Sequence, residues 1–383
     1  KDLIEGLGDA VDRQLERSHW DPQNEISECL DLIKHTRHRC EDQFRQSLFL
    51  DEAKRRLAER GEPCRGRALE DEFAEVKRRF IRDRLTEAGE ERAQYWGWPN
   101  IYTYTKSIGE QVLARSGLAF TIVRPAVIES ASVYPFPSWN EGINTSAPFI
   151  YLALKGQVQF PGEDDVHLDI IPVDMVVSGM IAALAELIEG SHQPVYQFGQ
   201  TDTNPCTISR YLELIGLYKR KKWQDGGDEG NRVMNAILAR VEPVPLSKKE
   251  YLTHGAHALA ATGRAVASLF DLASVGPAAS LFKPMSRALR SAASTEDKIG
   301  EVLDMFVPFV AECDWVFSCA NTRRAMARMP EDERRRFFWE PEKIDWRQWM
   351  FEVHIPGIEK WATPQFEDKL RRDVKPLRRY DTL

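Results

Sequence analysis

The sequence has no excess of basic residues: its 383 residues include 52 lysines and arginines against 59 aspartates and glutamates, a formal net charge of −7. It therefore has no global positive field that would gather nucleic acid, and we expect no nucleic-acid partner. The six cysteines are scattered, without the C-x-x-C spacing of a zinc site or the pattern of a disulfide framework. These absences exclude a small disulfide-stapled scaffold and favour a reducing, cytoplasmic location.

Long apolar runs are also missing. The least polar stretch, residues 257–282, is interrupted by Arg264 and Asp271, and each of these charges costs about 2.5 to 3.5 kcal/mol at the centre of a bilayer. A transmembrane span is therefore not expected. No basic region followed by an apolar segment opens the chain, so no secretion signal is expected. The first residue is Lys1 rather than Met, so we expect the chain to be a piece of a longer protein.

The remaining pattern divides the chain into four segments. Residues 1–94 are densely charged, with apolar residues at spacings of three and four, which predicts a helical arm or insertion interrupted by Gly-Glu-Pro at 61–63. Residues 95–206 alternate helical and β-branched apolar stretches, residues 207–365 have a helical pattern, and residues 366–383 form a polar tail. The alternation predicts an α/β fold, the C-terminal part of a doubly wound, Rossmann-like sheet.

The central segment gives more specific boundaries. We predict a helix from about residue 95 to residue 116, then a buried parallel strand at 118–123 that ends at Arg-Pro. A further apolar stretch occupies 168–173, and Asp174 is expected to cap the helix that follows it. Residues 195–198 read as another strand.

Tyr102 and Lys106 are the strongest candidates for chemistry. They stand four residues apart in a predicted helix, so both side chains project from one face. A nearby ammonium stabilises a phenolate, which suits a tyrosine to general acid catalysis. The same ammonium has three donors that can reach the ribose of a cofactor.

The order of helix, strand and Arg-Pro around this pair resembles the extended short-chain dehydrogenase/reductase fold. Several longer strings resemble one family within it, the alcohol-forming fatty acyl-CoA reductases, also called the male sterility family. The strings are residues 97–106 (GWPNIYTYTK), 122–125 (IVRP), 129–131 (ESA), 139–142 (WNEG), 171–174 (IPVD), 345–346 (DW) and 355–360 (IPGIEK).

The resemblance implies an enzyme that reduces a long-chain acyl thioester with NADPH, to an aldehyde or an alcohol. It implies Tyr102 and Lys106 as catalytic residues, with Lys106, Pro125 and Val127 at the cofactor. It also implies a helical C-terminal "sterile" domain, an acyl-CoA or acyl carrier protein partner, and a peripheral contact with a membrane, without fixing the oligomeric state.

Three further residues are candidates for contact with the acyl substrate: Glu129, which follows the Arg-Pro strand, and Phe136 and Trp139 in the next loop. Ordinary roles in a turn and in the core are the alternatives. His35 and His38 have the spacing of a metal pair, but no third ligand is evident, so no metal is expected. The cationic run 219–222 could touch the phosphates of coenzyme A or form a solvated face.

A glycine-rich turn between a strand and a helix, which receives the pyrophosphate of a dinucleotide, is not evident. The nearest match is Gly6-Leu7-Gly8, which follows no apolar strand. This leaves a second hypothesis, a non-catalytic fragment or acyl-binding module without a nucleotide site. A third, an extended dehydrogenase that acts on a nucleotide sugar, is disfavoured by the tail around residues 346–360.

The purified chain alone is expected not to bind NADPH appreciably, because it offers no helix N-terminus and glycine-rich turn to the pyrophosphate. A titration followed by NADPH fluorescence measures this. Binding in the micromolar range would contradict the expectation.

Overall fold

The structure is a computed structural model, and it describes residues 21–143, 145–224, 236, 239–273, 279–311 and 314–374. The glycine segment at 6–8 considered above lies outside these ranges. The described residues fall into two compact units, 21–120 and 121–374. The four segments proposed from the sequence pattern stay predictions.

The first unit is helical. Its described elements are α1 Pro22–Arg39, α2 Gln43–Glu59, α3 Gly66–Tyr95 and α4 Ile101–Ala114. Asp21 and Asp42 cap the first two helices by accepting backbone N–H groups. The break predicted at 61–63 is confirmed, since α2 ends before it and α3 begins after it.

Apolar packing and a buried ion pair both stabilise this helical unit. Phe49 and Val76 pack with Cys40 and Ala53 in a small apolar cluster between the helices. Glu25, only 3% exposed, accepts two hydrogen bonds from Arg92 at 2.6 and 2.7 Å. The bidentate geometry compensates the burial of the carboxylate.

The second unit mixes short strands and helices. Its strands are β1 Ile122–Pro125, β2 Val127–Glu129, β3 Gln159–Pro161, β4 Ile170–Pro172, β5 Val195–Phe198 and β6 Val244–Leu246. Its helices are α5 Ala147–Leu154, α6 Val173–Glu189, α7 Ile208–Gln224, α8 Lys248–His254, α9 Ala256–Ala273, α10 Ala279–Asp304, α11 Val307–Val310, α12 Ala320–Arg328 and α13 Glu331–Arg336.

A nearly unbroken helical run closes the described chain. It consists of α14 Trp346–Trp349, a π-helical turn Met350–His354, α15 Ile355–Gly357, a second π-helical turn Ile358–Ala362 and α16 Thr363–Val374. Its inner face packs on α5 and α7 in the larger apolar core of this unit. Within the described residues, no helix combines the length and apolarity that a membrane span requires.

The strands form parallel pairs, β1 with β5, β2 with β4 and β3 with β6. Ala126 separates β1 from β2: its N–H donates to Phe198 O at 2.8 Å, and the next N–H, that of Val127, donates to Asp169 O at 3.0 Å. One extended segment therefore changes neighbours at a single residue. The α/β class is confirmed, in a mainly helical form whose strands are short pairs.

Three local expectations need correction. The helix predicted from about residue 95 to residue 116 is α4, which begins only at Ile101, because Asn100 caps its N-terminus, and ends at Ala114. The strand predicted at 118–123 begins only at Ile122, because Leu118 is 68% exposed and cannot belong to a buried strand. Asp174 does not cap α6, which begins one residue earlier at Val173. Its carboxylate instead accepts N–H groups of Ser132, Val133 and Tyr134 at 2.7 to 3.1 Å.

Replacing Asp174 with alanine is expected to lower the free energy of unfolding by about 2 to 4 kcal/mol, because three backbone donors lose a charged acceptor. Urea denaturation of the purified chain measures the loss. Glu189→Ala is the matched control, because this carboxylate is exposed at the end of the same helix and lies 3.5 Å from Arg328, and such surface pairs contribute little to stability. Equal midpoints for the two variants would contradict the assignment.

Candidate functional site

Tyr102 and Lys106 share one face of α4, as predicted. The Lys106 Nζ lies 5.5 Å from the centroid of the Tyr102 ring, and the tyrosine is 63% exposed. Asn100 fixes the start of the helix, since its side chain accepts the N–H of Thr103 at 2.9 Å. The phenol and the ammonium are therefore presented together on an accessible surface. That the loop after Pro125 lies near them stays a prediction.

The opposite face of α4 explains this presentation. Tyr104 and Ile108 are 3% and 9% exposed and pack with Ala93 in an apolar cluster. These two residues are also four apart, but they are offset by two positions from the first pair, which turns them about 200° around the helix. Burial of one pair consequently exposes the other.

A second group of polar side chains is fully buried in the unit 121–374. At its centre lies His354, in the first π-helical turn, with 0% exposure. Its Nδ1 is 3.0 Å from Ser130 Oγ, and its Nε2 is 3.0 Å from Ser146 Oγ and 3.2 Å from Tyr211 OH. The indole of Trp349 stacks on the imidazole at 4.5 Å.

Glu129 joins this buried group from the end of β2. Its carboxylate accepts the N–H of Ser146 at 3.1 Å and the hydroxyl of Thr145 at 3.0 Å. Its Oε2 lies 3.6 Å from His354 Nε2. We call Glu129, Ser130, Ser146, Tyr211 and His354 the buried polar cluster.

Burial shifts the pKa values of Glu129 and His354 in opposite directions. It raises the pKa of Glu129 to about 7, against the hydrogen bonds from Ser146 and Thr145, which lower it. It lowers the pKa of His354 to about 3. Both shifts favour the uncharged form, as expected where charge is removed from water. His354 is accordingly a neutral ring that accepts at one nitrogen and donates at the other.

The remaining predicted residues lie around these elements. Pro125 is exposed at the end of β1, and Val127 is half-buried at the start of β2. Phe136 is 43% exposed, with its ring centroid 6.0 Å from that of Trp361. Trp139 is half-buried, and its carbonyl accepts the N–H of Ala131 at 3.0 Å. Contacts of these four residues with cofactor or substrate stay predictions.

Residues 34–180 match an NAD-binding family described as male sterility protein. This segment is similar to the male sterility family. It contains Tyr102, Lys106 and Glu129, and the resemblance proposed from the sequence is confirmed.

Named relatives of this chain are fatty acyl-CoA reductases. Fatty acyl-CoA reductase 8 of Arabidopsis thaliana is 30% identical over 72% of this chain and 54% of its own length. The alcohol-forming fatty acyl-CoA reductase of Simmondsia chinensis is 27% identical over 73% of this chain and 55% of its own. Fatty acyl-CoA reductase 2 of Bos taurus is 25% identical over 69% and 48%. The chain thus spans about half the length of these relatives.

Other candidates from the sequence have structural partners or remain at the surface. Lys219 is fully buried, and its Nζ donates to Ala153 O at 3.2 Å, so it cannot reach a coenzyme A phosphate. Lys222 pairs with Glu359, and His35 and His38 are exposed on α1. No group of three or more metal-ligating side chains occurs among the described residues.

Sequence reasoning missed most of the buried polar cluster. Only Glu129 was singled out, and as a candidate for substrate contact, whereas the structure buries its carboxylate completely. His354 lies 224 residues from Ser130 along the chain, so no local spacing connects them. The available signal was a histidine flanked by apolar residues (MFEVHIPGI), which indicates a buried ring but not its partners.

The two opposed shifts predict how stability depends on pH. The pKa of Glu129 rises from 4.5 to about 7 on folding, so the folded state binds the extra proton and stability falls as pH rises through that interval. The pKa of His354 falls from 6.5 to about 3, so stability falls as pH drops through that interval. The two effects offset each other between about pH 4.5 and pH 6.5.

Glu129→Gln should therefore change the pH profile in a defined way. Between pH 5 and pH 8, the free energy of unfolding of the variant should rise relative to wild type, by roughly 3 kcal/mol at most. Urea denaturation at several pH values measures the slope, with Glu189→Gln, at the exposed end of α6, as the control. Parallel profiles for wild type and Glu129→Gln would refute the assignment.

Proposed function

We propose that this chain carries the proton-donating part of an NADPH-dependent fatty acyl-CoA reductase. The supporting observation is the pairing of Tyr102 with Lys106, whose Nζ lies 5.5 Å from the tyrosine ring on an exposed helix face within the segment that matches the family. Curated relatives named as fatty acyl-CoA reductases supply the substrate class.

In this proposal the substrate carbonyl lies beside the Tyr102 hydroxyl. The bound nicotinamide cofactor supplies the hydride. Tyr102 donates its proton to the carbonyl oxygen that gains negative charge, and the ammonium of Lys106 stabilises the phenolate left behind. The resulting hemithioacetal loses coenzyme A as its free thiol, which breaks the carbon–sulfur bond and gives the aldehyde. When the cofactor is bound, the Lys106 ammonium would also donate to its ribose, so this one residue would both hold the cofactor and support Tyr102.

Cofactor contacts in the described residues are assigned to Lys106, Pro125 and Val127. Within those residues, no strand is followed by a glycine-rich turn and a helix N-terminus, so no contact with the pyrophosphate is assigned here. An acyl-binding role without catalysis is the alternative, and the absence of turnover together with retained acyl-CoA binding would favour it. Reduction to the aldehyde or the alcohol, an acyl carrier protein donor, and a cytoplasmic site with peripheral membrane contact are expectations from the family resemblance.

Tyr102→Phe is expected to reduce turnover of palmitoyl-CoA about a hundredfold to ten-thousandfold, since the developing oxyanion loses its proton donor. Lys106→Met is expected to raise the KM for NADPH as well as to lower kcat, because its ammonium has two roles. Steady-state kinetics of the full-length protein measure both.

Tyr95→Phe is the matched control, since this tyrosine is 80% exposed and precedes α4. It should leave turnover unchanged. A Tyr102→Phe protein with wild-type turnover would show that the proton comes from another group, and the proposed site would be wrong.

A further inference from the structure

The loop 130–146, which connects β2 to α5, is described except for residue 144. Its two ends are buried, with Ser130 at 1% exposure and Ser146 at 7%. Its middle is not: Val133, Tyr134 and Phe136 are 45%, 56% and 43% exposed. The loop is thus anchored at both ends and presents apolar side chains between them.

His354 holds both ends of this loop. One ring nitrogen lies 3.0 Å from the hydroxyl of Ser130 and the other lies 3.0 Å from the hydroxyl of Ser146. A single rigid ring therefore fixes the separation of the two ends. Asn140, from within the loop, donates to the same Ser130 hydroxyl at 3.0 Å.

The same C-terminal helical run contacts the middle of the loop. Trp349 Nε1 donates to Ser132 Oγ at 3.1 Å, and Trp361 contacts Phe136. The helical run comes especially close to the loop at Gly357, where an added Cβ would lie 2.5 Å from the carbonyl oxygen of Ser138. A side chain at this helical position would therefore displace the loop.

The backbone of the loop depends on these anchors. Ser138 and Thr145 have φ values of 72° and 52°, in the left-handed region that disfavours residues with a Cβ. Such conformations persist where the surroundings fix them. Thr145 is fixed by its hydrogen bond to Glu129, and Ser138 by its N–H, which donates to Ala131 O at 3.0 Å.

We propose that His354 is a positioning residue that fixes loop 130–146, so that Phe136 and its apolar neighbours contact the acyl chain of the thioester substrate. The second half of this proposal rests on the proposed function. The first half rests on the two hydrogen bonds of one ring to the two ends of one loop.

Hydrogen–deuterium exchange of the purified chain tests the positioning role. His354→Phe keeps a ring against Trp349 but removes both hydrogen bonds, and the amides of Ala131, Ser138 and Trp139 should exchange about tenfold faster. His354→Asn keeps an acceptor and donor near the Nδ1 position and should protect the Ser130 end. His354→Gln extends one atom further and should protect the Ser146 end.

Tyr218→Phe is the matched control, because it removes a hydroxyl from the same helix α7 that donates to Glu359 Oε2 at 2.7 Å rather than to His354 or the loop. It should leave exchange in the loop unchanged. Equal acceleration in the loop and in helix α6 would indicate general destabilisation and would overturn the proposal. Unchanged loop exchange in His354→Phe would overturn it as well.

A second perturbation reaches the loop without altering His354. Gly357→Ala adds a methyl group that would lie 2.5 Å from Ser138 O and 3.2 Å from Ser130 Oγ, both in the loop, and it should also accelerate exchange there. Gly263→Ala, in helix α9, is its control, since an added Cβ there meets nothing closer than 3.4 Å. Unchanged loop exchange in Gly357→Ala would contradict the contact on which the proposal relies.

Kinetics of the full-length protein test the acyl contact. In wild type the KM should be lower for palmitoyl-CoA than for octanoyl-CoA, since burial of each methylene is worth about fourfold in affinity. The ratio of the KM for octanoyl-CoA to the KM for palmitoyl-CoA should fall about tenfold in His354→Phe and in Gly357→Ala, while kcat changes little. If a variant is active and its loop exchanges faster, but its KM ratio equals that of wild type, the proposed acyl contact is wrong.

Failure of the proposed function would look different. A wild-type protein that reduces no acyl thioester would overturn that function together with the acyl contact. The exchange pattern would still decide whether His354 positions the loop.

Discussion

His354 is enclosed completely, and each of its ring nitrogens faces a hydroxyl group from a different end of the same loop. A buried polar group without a partner costs about 1 to 3 kcal/mol. The imidazole and the two serine hydroxyls therefore stabilise one another, and displacement of either the ring or the loop would leave buried polar groups unpaired. Glu129 adds a second buried group that is satisfied by the end of the loop and the start of α5. Strand β2, the loop, α5 and the C-terminal helical run are connected through this one cluster.

The buried polar cluster and the predicted catalytic pair use ionisable residues in opposite ways. Tyr102 and Lys106 are held on the exposed face of α4 because Tyr104 and Ile108 occupy its buried face. Glu129 and His354 are withdrawn from water, and burial raises the pKa of the first and lowers that of the second. Exposed groups remain available for a substrate, whereas burial favours the uncharged form of Glu129 and His354, which connect distant segments.

Asp174 shows a third use of a polar side chain. Its carboxylate binds three successive backbone N–H groups at residues 132–134 and so fixes the first part of the loop from the side of α6. The loop is therefore fixed from α6 at one side and from the C-terminal helical run at the other. Its exposed apolar residues are carried on a backbone with little freedom to move, which is what a contact surface of defined shape requires.

The sequence by itself determined the local features of this protein. The helical period of residues 21–94, the break at 61–63, the strand at 195–198 and the common helix face of Tyr102 and Lys106 all followed from propensity and periodicity. Family-specific strings around the same residues identified its relatives. Each of these features depends on residues close together in the chain.

Only the tertiary structure decided the partners of polar side chains. Asp174 has the position of a helix cap in the sequence, yet it binds a loop 40 residues away. Glu129 lies at the end of a strand, where active-site residues are common, yet its carboxylate is buried in contact with Ser146 and His354. His354 gave no local signal of its partners. A hydrogen bond between distant segments depends on how the chain packs, and hydrophobic periodicity carries no information about which buried donor will meet which acceptor.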